Sequence, residues 1–232
     1  MCGRFDQSDI PRLLSDFSWA DEVYNRSMAT PCWNVAPTMS RPILHLVDGT
    51  LCVDDIHWGY RSAWGEASGK VPVAVNARLE KALGSYWAPL MKRGRVIVPA
   101  NGWYEWTGEK PKKQPWHIHR KDRGALFFAG VASLALDAES SARNGFAILT
   151  ADAVGGMVDV HDRRPIVFTA ADAKLWLDQG LSAQQAEQLA RTAGLGPEAF
   201  DWFKVGRAVG NVHSQGPALA VPLAELDMEG DQ

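Results

Sequence analysis

Two apolar runs, residues 42–47 and 51–58, are separated by Asp48-Gly49. A two-residue Asp-Gly break between β-prone runs is a strong hairpin signal, because both turn positions take positive φ. The hairpin is one of many short runs. Residues 71–75, 95–99, 116–120, 125–134, 146–150 and 166–168 also read as strands, each short and bounded by turn residues. Residues 30–38, with Pro31 and Pro37, read as a loop, as do the Gly-bearing stretch from Gly59 to Lys70 and the Lys/Pro-rich turn at 107–115. Helical patterning is confined to the two ends of the chain. Ile10, Leu13, Leu14 and Phe17 recur at helical spacing behind Ser8 and Asp9. A second helix is expected near 170–179, and a third opens with the capping-box pair Ser182 and Gln185. Residues 206–212 are a Gly-punctuated loop. There are no internal repeats and no linker. A single α+β domain over residues 1–223 is therefore expected, followed by an acidic tail at 224–232.

A chain of 232 residues is long enough to bury a proper core. Its net charge of −3 excludes bulk-basic coating of nucleic acid but leaves room for a local groove. Between Lys92 and Arg123 there are nine Lys or Arg against three Asp or Glu, interleaved with Trp103, Trp106 and Trp116. Charge plus stacking rings is what a single-stranded nucleic-acid groove needs; a solvated basic face is the plain alternative. The three cysteines, Cys2, Cys32 and Cys52, form neither a disulfide framework nor a zinc pattern. No cofactor and no metal are expected. No signal-peptide core and no run approaching the ~20 apolar residues of a spanning helix is present. A cytoplasmic monomer with no membrane partner is the expectation.

The chemistry-bearing feature is Met1-Cys2-Gly3-Arg4-Phe5. Loss of Met1 would leave a free α-amine and a thiol on one residue. Together they can attack an aldehyde: the amine forms an imine and the sulfur closes on its carbon to give a five-membered ring. Both groups ordinarily titrate near ~8, so both nucleophilic forms are expected at neutral pH without large shifts. Glu105 lies among aromatics in Trp103-Tyr104-Glu105-Trp106, where lost solvation would raise its pKa, or it points to solvent. His161, in a charged stretch, is a proton shuttle or a surface histidine. His117 and His119 share a strand face, which is expected to be exposed rather than metal-binding. Asn76 and Arg78 offer an amide and a phosphate-matching fork, or Arg78 pairs with Glu80 on the surface.

The segments Met1 to Phe5, Trp33-Asn34-Val35-Ala36-Pro37, Trp58-Gly59, Asn76-Ala77-Arg78 with Glu80, Gly102 to Trp106, Val160-His161-Asp162-Arg163-Arg164-Pro165 and Val209-Gly210-Asn211 follow one another along the chain. Together they resemble the SRAP (SOS response-associated peptidase-like) family. The resemblance implies one SRAP-type α+β domain, with mixed or antiparallel sheets forming a barrel-like core and helices flanking it. It implies binding to single-stranded DNA containing an abasic site and a thiazolidine crosslink through processed Cys2 that shields the lesion. Cys2, Asn76, Glu105 and His161 match the catalytic positions. Gly3, Arg4, Trp64, Arg78, Trp106, Arg163 and Arg164 match DNA-binding ones, with the tryptophans stacking or wedging against bases. The implied activity is lyase-like Schiff-base chemistry, with peptidase-type removal of Met1. Two other readings remain open: a cysteine peptidase or hydrolase using Cys2, His161 and Glu105, and a non-covalent reader of modified DNA.

Overall fold

A computed structural model describes residues 2–15, 17, 22–109, 111–134 and 144–224. The expected acidic tail lies outside the described residues from Glu225 onward. Strands β1 (Phe5–Gln7), β3 (Cys32–Val35), β8 (Gly102–Thr107), β9 (Gln114–Arg120) and β14 (Phe200–Lys204) form one sheet, ordered β14-β9-β8-β1-β3. The larger sheet contains β2 (Val23–Asn25), β4 (Ser40–Val47), β5 (Thr50–His57), β7 (Arg95–Ala100), β10 (Leu126–Ser133), β11 (Gly145–Asp152) and β12 (Arg163–Pro165). Its order is β12-β11-β10-β7-β4-β5-β2, with β6 (Asn76–Arg78) on β11 and β13 (Val167–Phe168) on β10. Pairing is antiparallel except for β2 on β5 and β6 on β11. The hairpin forms as its sequence demands: β4 and β5 pair from Ser40↔His57 to Val47↔Thr50, and Asp48 and Gly49 take φ of 48° and 83°.

The alternating side chains of the central strands explain the layers. In β10, Leu126 and Phe128 face a core shared with the smaller sheet, where they join Phe5, Trp58, Trp103, Phe146 and Phe200. Phe127, Ala129 and Val131 face the other way. There they pack with α1 (Ile10–Ser15), α3 (Ala88–Arg93), α4 (Ala170–Leu177) and α5 (Ala183–Thr192), through residues such as Leu13, Met91, Trp176 and Ala186. A strand buried on both faces reads as a continuous apolar run, which is what residues 125–134 show. The fold is thus mixed α+β with flanking helices. The two sheets enclose the barrel-like centre without closing into a barrel.

Several local expectations shift. The loop at 30–38 contains β3, flanked rather than broken by Pro31 and Pro37, because Phe5 and Gln7 supply its pairing partners. The loop at 59–70 contains α2 (Ala63–Ser68), capped by Ser62 Oγ accepting from the Gly65 N–H and ended by Gly69 at φ 64°. The strand expected at 71–75 is displaced to β6. His117 and His119 are not exposed but buried. The reason is β14, which pairs with β9 and lays Phe203 5.4 Å from each ring, while Asp6 Oδ2 stands 3.5 Å from His117 Nε2.

Trp58 ties the core to the site described below. Its ring meets Phe5 edge-on at 5.0 Å, and its Nε1–H donates to the Val75 carbonyl at 2.9 Å, one residue before Asn76. Trp58→Ala should lower unfolding free energy by about 3–5 kcal/mol, the range for deleting a buried aromatic. Urea titration checks this; an unfolding free energy within about 1 kcal/mol of the parent would show that the ring is not integral to the core.

Candidate active site

β1 lies between β8 and β3, with Phe5 opposite both Trp103 and Val35. The pairing runs on past the strand: the Tyr104 N–H donates to the Arg4 carbonyl at 3.0 Å. Cys2, Gly3 and Arg4 therefore run antiparallel beside Tyr104, Glu105 and Trp106. Side chains alternate along β8. Trp103 enters the shared core, Tyr104 the opposite face, and Glu105 returns to the side of Trp103. Cys2 joins that same core and is fully buried. Asn76 closes in from the other sheet, donating from Nδ2 to the Cys2 carbonyl at 2.8 Å. Its Oδ1 is buried without a hydrogen-bond partner among the described residues.

His161 arrives between a 3₁₀ turn (Gly155–Asp159) and β12, its N–H held by the Met157 carbonyl at 3.0 Å. Its Nε2 is 3.8 Å from Glu105 Oε2. Two groups compete for Nδ1. The Arg163 backbone N–H, at 2.9 Å, needs it bare; Asp162 Oδ1, at 2.6 Å, needs it protonated. The backbone donor is fixed, whereas the Asp162 carboxylate is largely exposed and can turn to water. The neutral ring therefore carries its proton on Nε2, toward Glu105.

Burial dominates the titration of all three groups. It pushes the Glu105 carboxyl up to about 7, and the negative charge of Asp162 adds to the rise. It pushes the Cys2 thiol far above its ordinary value, with Glu105 adding to the rise. This overturns the expectation of an unshifted thiol: Cys2 has no water to support a thiolate. Burial lowers the His161 pKa; Lys113 lowers it further, while Asp162 opposes the fall. At neutral pH the site holds a neutral thiol, a neutral imidazole and a carboxyl divided between its two forms.

Outside this cluster opens a cleft of about 440 Å³ lined by Gly3, Arg4, Glu105, Trp106, Lys113, His161 and Gly210. Arg4 NH1 donates to Asn34 Oδ1 at 2.9 Å and to the Val209 carbonyl at 3.0 Å, and its guanidinium lies 6.0 Å from the Trp106 ring centroid. Asn34 Nδ2 in turn reaches the carbonyls of Val209, Asn211 and Ser214. Of the other sequence candidates, Arg78 is exposed on β6 and does not line the cleft. Arg163 is clamped by Glu80, Asp152 and Thr150. Arg164 donates to the Leu195 carbonyl. Trp64 stands exposed on α2, edge-on to Tyr86, and does not line the cleft. Sequence reasoning assigned no role to Asn34 or Lys113. Asn34 sits in a quoted motif, but its bonds reach residues more than 170 positions away. Lys113 resembles any solubilising lysine in a polar turn.

Fold and site define a two-sheet α+β protein whose Cys2 is buried beside an acid–histidine pair near a cation-lined cleft. The chain belongs to the SRAP family: the description "SOS response associated peptidase (SRAP)" matches residues 1–212. It is 38% identical to the abasic site processing protein YedK of Escherichia coli over 228 residues, covering 96% of this chain and all of that one. The abasic site processing protein YoqW of Bacillus subtilis is 31% identical over 77% of this chain and 80% of its own. A solved structure, that of a phage-related protein from Bordetella bronchiseptica, superposes with a TM-score of 0.76 at 35% identity, covering 93% of this chain and 100% of that one.

A carboxyl raised from 4.5 to about 7 holds its proton in the folded state while the unfolded state releases it. The stability this represents is full below pH 4.5 and is lost as pH rises through 7. Glu105→Gln, which cannot ionise, should therefore gain on the parent as pH rises from 4.5 to 8, by about 3 kcal/mol at most. Urea unfolding of both proteins across that range measures the difference; parallel pH profiles would mean that Glu105 ionises freely in the fold.

Proposed function

We propose that this chain binds single-stranded DNA at abasic sites and crosslinks to the lesion through Cys2 once Met1 is removed. The observation that carries this reading is the burial of Cys2 beside a carboxyl held near neutrality, where the cation-lined cleft ends. The names of its relatives, abasic site processing proteins, support the abasic-site part of this reading. The ring-opened abasic sugar carries an aldehyde. The Cys2 amine attacks its carbon to give a carbinolamine. Glu105, as the acid, protonates the departing hydroxyl, and water leaves with formation of the iminium. Glu105, now a carboxylate, takes the thiol proton, and the sulfur closes on the iminium carbon to complete the thiazolidine. A carboxyl titrating near 7 serves both halves because each of its forms is populated. His161 presents Nε2–H toward Glu105 and relays protons. Asn76 fixes the Cys2 carbonyl and offers its bare Oδ1 to a sugar hydroxyl. Arg4 and Arg78 meet phosphates, and Trp106 offers a face on which a base can stack.

The hydrolase reading is weakened by the thiol itself. A cysteine hydrolase depends on a thiolate, and here burial and the Glu105 charge oppose one. The imine route needs the sulfur only after a strongly electrophilic carbon has formed beside it. Loss of Met1 comes first in this reading, because until then the Cys2 nitrogen is an amide.

Intact-mass measurement of the Met1-free protein with abasic single-stranded DNA tests the proposal. A denaturation-resistant adduct is expected, absent from Cys2→Ala although that variant still binds the DNA. Glu105→Gln should form it about 10²-fold more slowly. A Met1-free wild-type protein that binds but yields no adduct would replace the crosslinker with a non-covalent reader.

A further inference from the structure

This inference rests on reading the cleft as a DNA site. The family-matching arginines do not supply the cleft with the charge their number implies. Arg163 faces two carboxylates: its NH1 reaches Glu80 Oε1 and Asp152 Oδ1, and its NH2 reaches Glu80 Oε2 and the Thr150 carbonyl and hydroxyl. Both its NH1 and its NH2 groups are therefore occupied. Arg164 is half-buried against the Leu195 carbonyl. Arg4 lines the cleft, with NH1 already spent on Asn34 and Val209. The remaining cation in the cleft wall comes from outside the motifs: Lys113, exposed just before β9, lines the cavity with Glu105 and His161.

We propose that Lys113 is a positioning residue for the DNA strand: its ammonium pairs with a phosphate beside the lesion sugar and holds that sugar over Glu105 and His161. A lysine suits the place. It acts as a compact charge on a long stem, needs no fixed fork geometry, and can follow a phosphate as the sugar opens. Its position in the same wall as Arg4 and Trp106 lets the strand be gripped at more than one point while the lesion carbon reaches the buried end. Lys112, one residue earlier, is also exposed but does not line the cleft. It is the natural control for diffuse surface charge.

The test uses an oligonucleotide carrying a tetrahydrofuran abasic analogue, which has no aldehyde and so reports non-covalent binding. Affinity is measured across a series of salt concentrations for the parent, Lys113→Ala, Lys113→Arg and Lys112→Ala. Each phosphate contact on a single strand contributes about 0.7 to the log–log salt slope. Lys113→Ala should reduce the slope by about that amount, weaken binding several-fold whatever the flanking sequence, and slow adduct formation on natural abasic DNA at sub-saturating concentration. Lys113→Arg should restore the slope, and Lys112→Ala should leave it at the parent value. An unchanged slope in Lys113→Ala, or equal losses from the Lys112 and Lys113 variants, overturns the assignment. If adducts still form in that case, the reading of the cleft survives and only the role of the lysine falls.

Discussion

The site depends on a strand of three residues being hydrogen-bonded on both edges. β1 gains nothing from length; it is held because β8 and β3 flank it and because its side chains bind across to the other sheet. Phe5 fills the shared core against Trp58 and Phe128. Gln7 is fully buried, donating from Nε2 to the carbonyls of Pro42 and Pro99 and accepting from Arg41 Nε. A buried amide with its donors and acceptor satisfied is a strong registration device, since any slip would leave those groups unpaired at a cost of about 1–3 kcal/mol each. Gln7 thus fixes one sheet against the other. The residues just before it inherit that precision: Arg4 is bonded to β8, and Cys2 is set beside Glu105.

The electrostatics follow from where this strand ends. Water is excluded at Cys2 and Glu105 but reaches the cleft at Lys113 and Gly3. A neutral thiol and a half-protonated acid sit at the dry end, and cations sit at the wet end. The arrangement puts positive charge in the cleft wall and disfavours the thiolate on which oxidants act. The reactive potential is carried by the carboxyl, whose proton inventory changes within the physiological range.

Much of this was legible in the residues. The Asp48-Gly49 turn and the Ser182–Gln185 cap each have a local cause, so local reasoning reached them. The misses share a different origin. The polar stretch around Trp64 forms a helix that is capped by Ser62 and Gly69. The histidines of β9 are buried by a strand about 80 residues downstream that carries Phe203. The convergence of Glu80 and Asp152 on Arg163 leaves no local mark in the sequence. The thiol of Cys2 has an ordinary pKa in a peptide and not in a sealed core. Apart from the helix around Trp64, the deciding neighbours are brought in by the tertiary fold.

The bond from Arg4 to the Val209 carbonyl joins residues 205 positions apart, and Asn34 reinforces the same junction. Contacts of such sequence separation bear the largest loop-closure cost and are poor candidates for early folding events. The cleft wall is therefore completed only when nearly the whole chain has found its topology. Chemical competence becomes a readout of global folding: a partly folded or truncated chain has the same cysteine but not the enclosure that raises the Glu105 pKa or the anchor that aims Arg4.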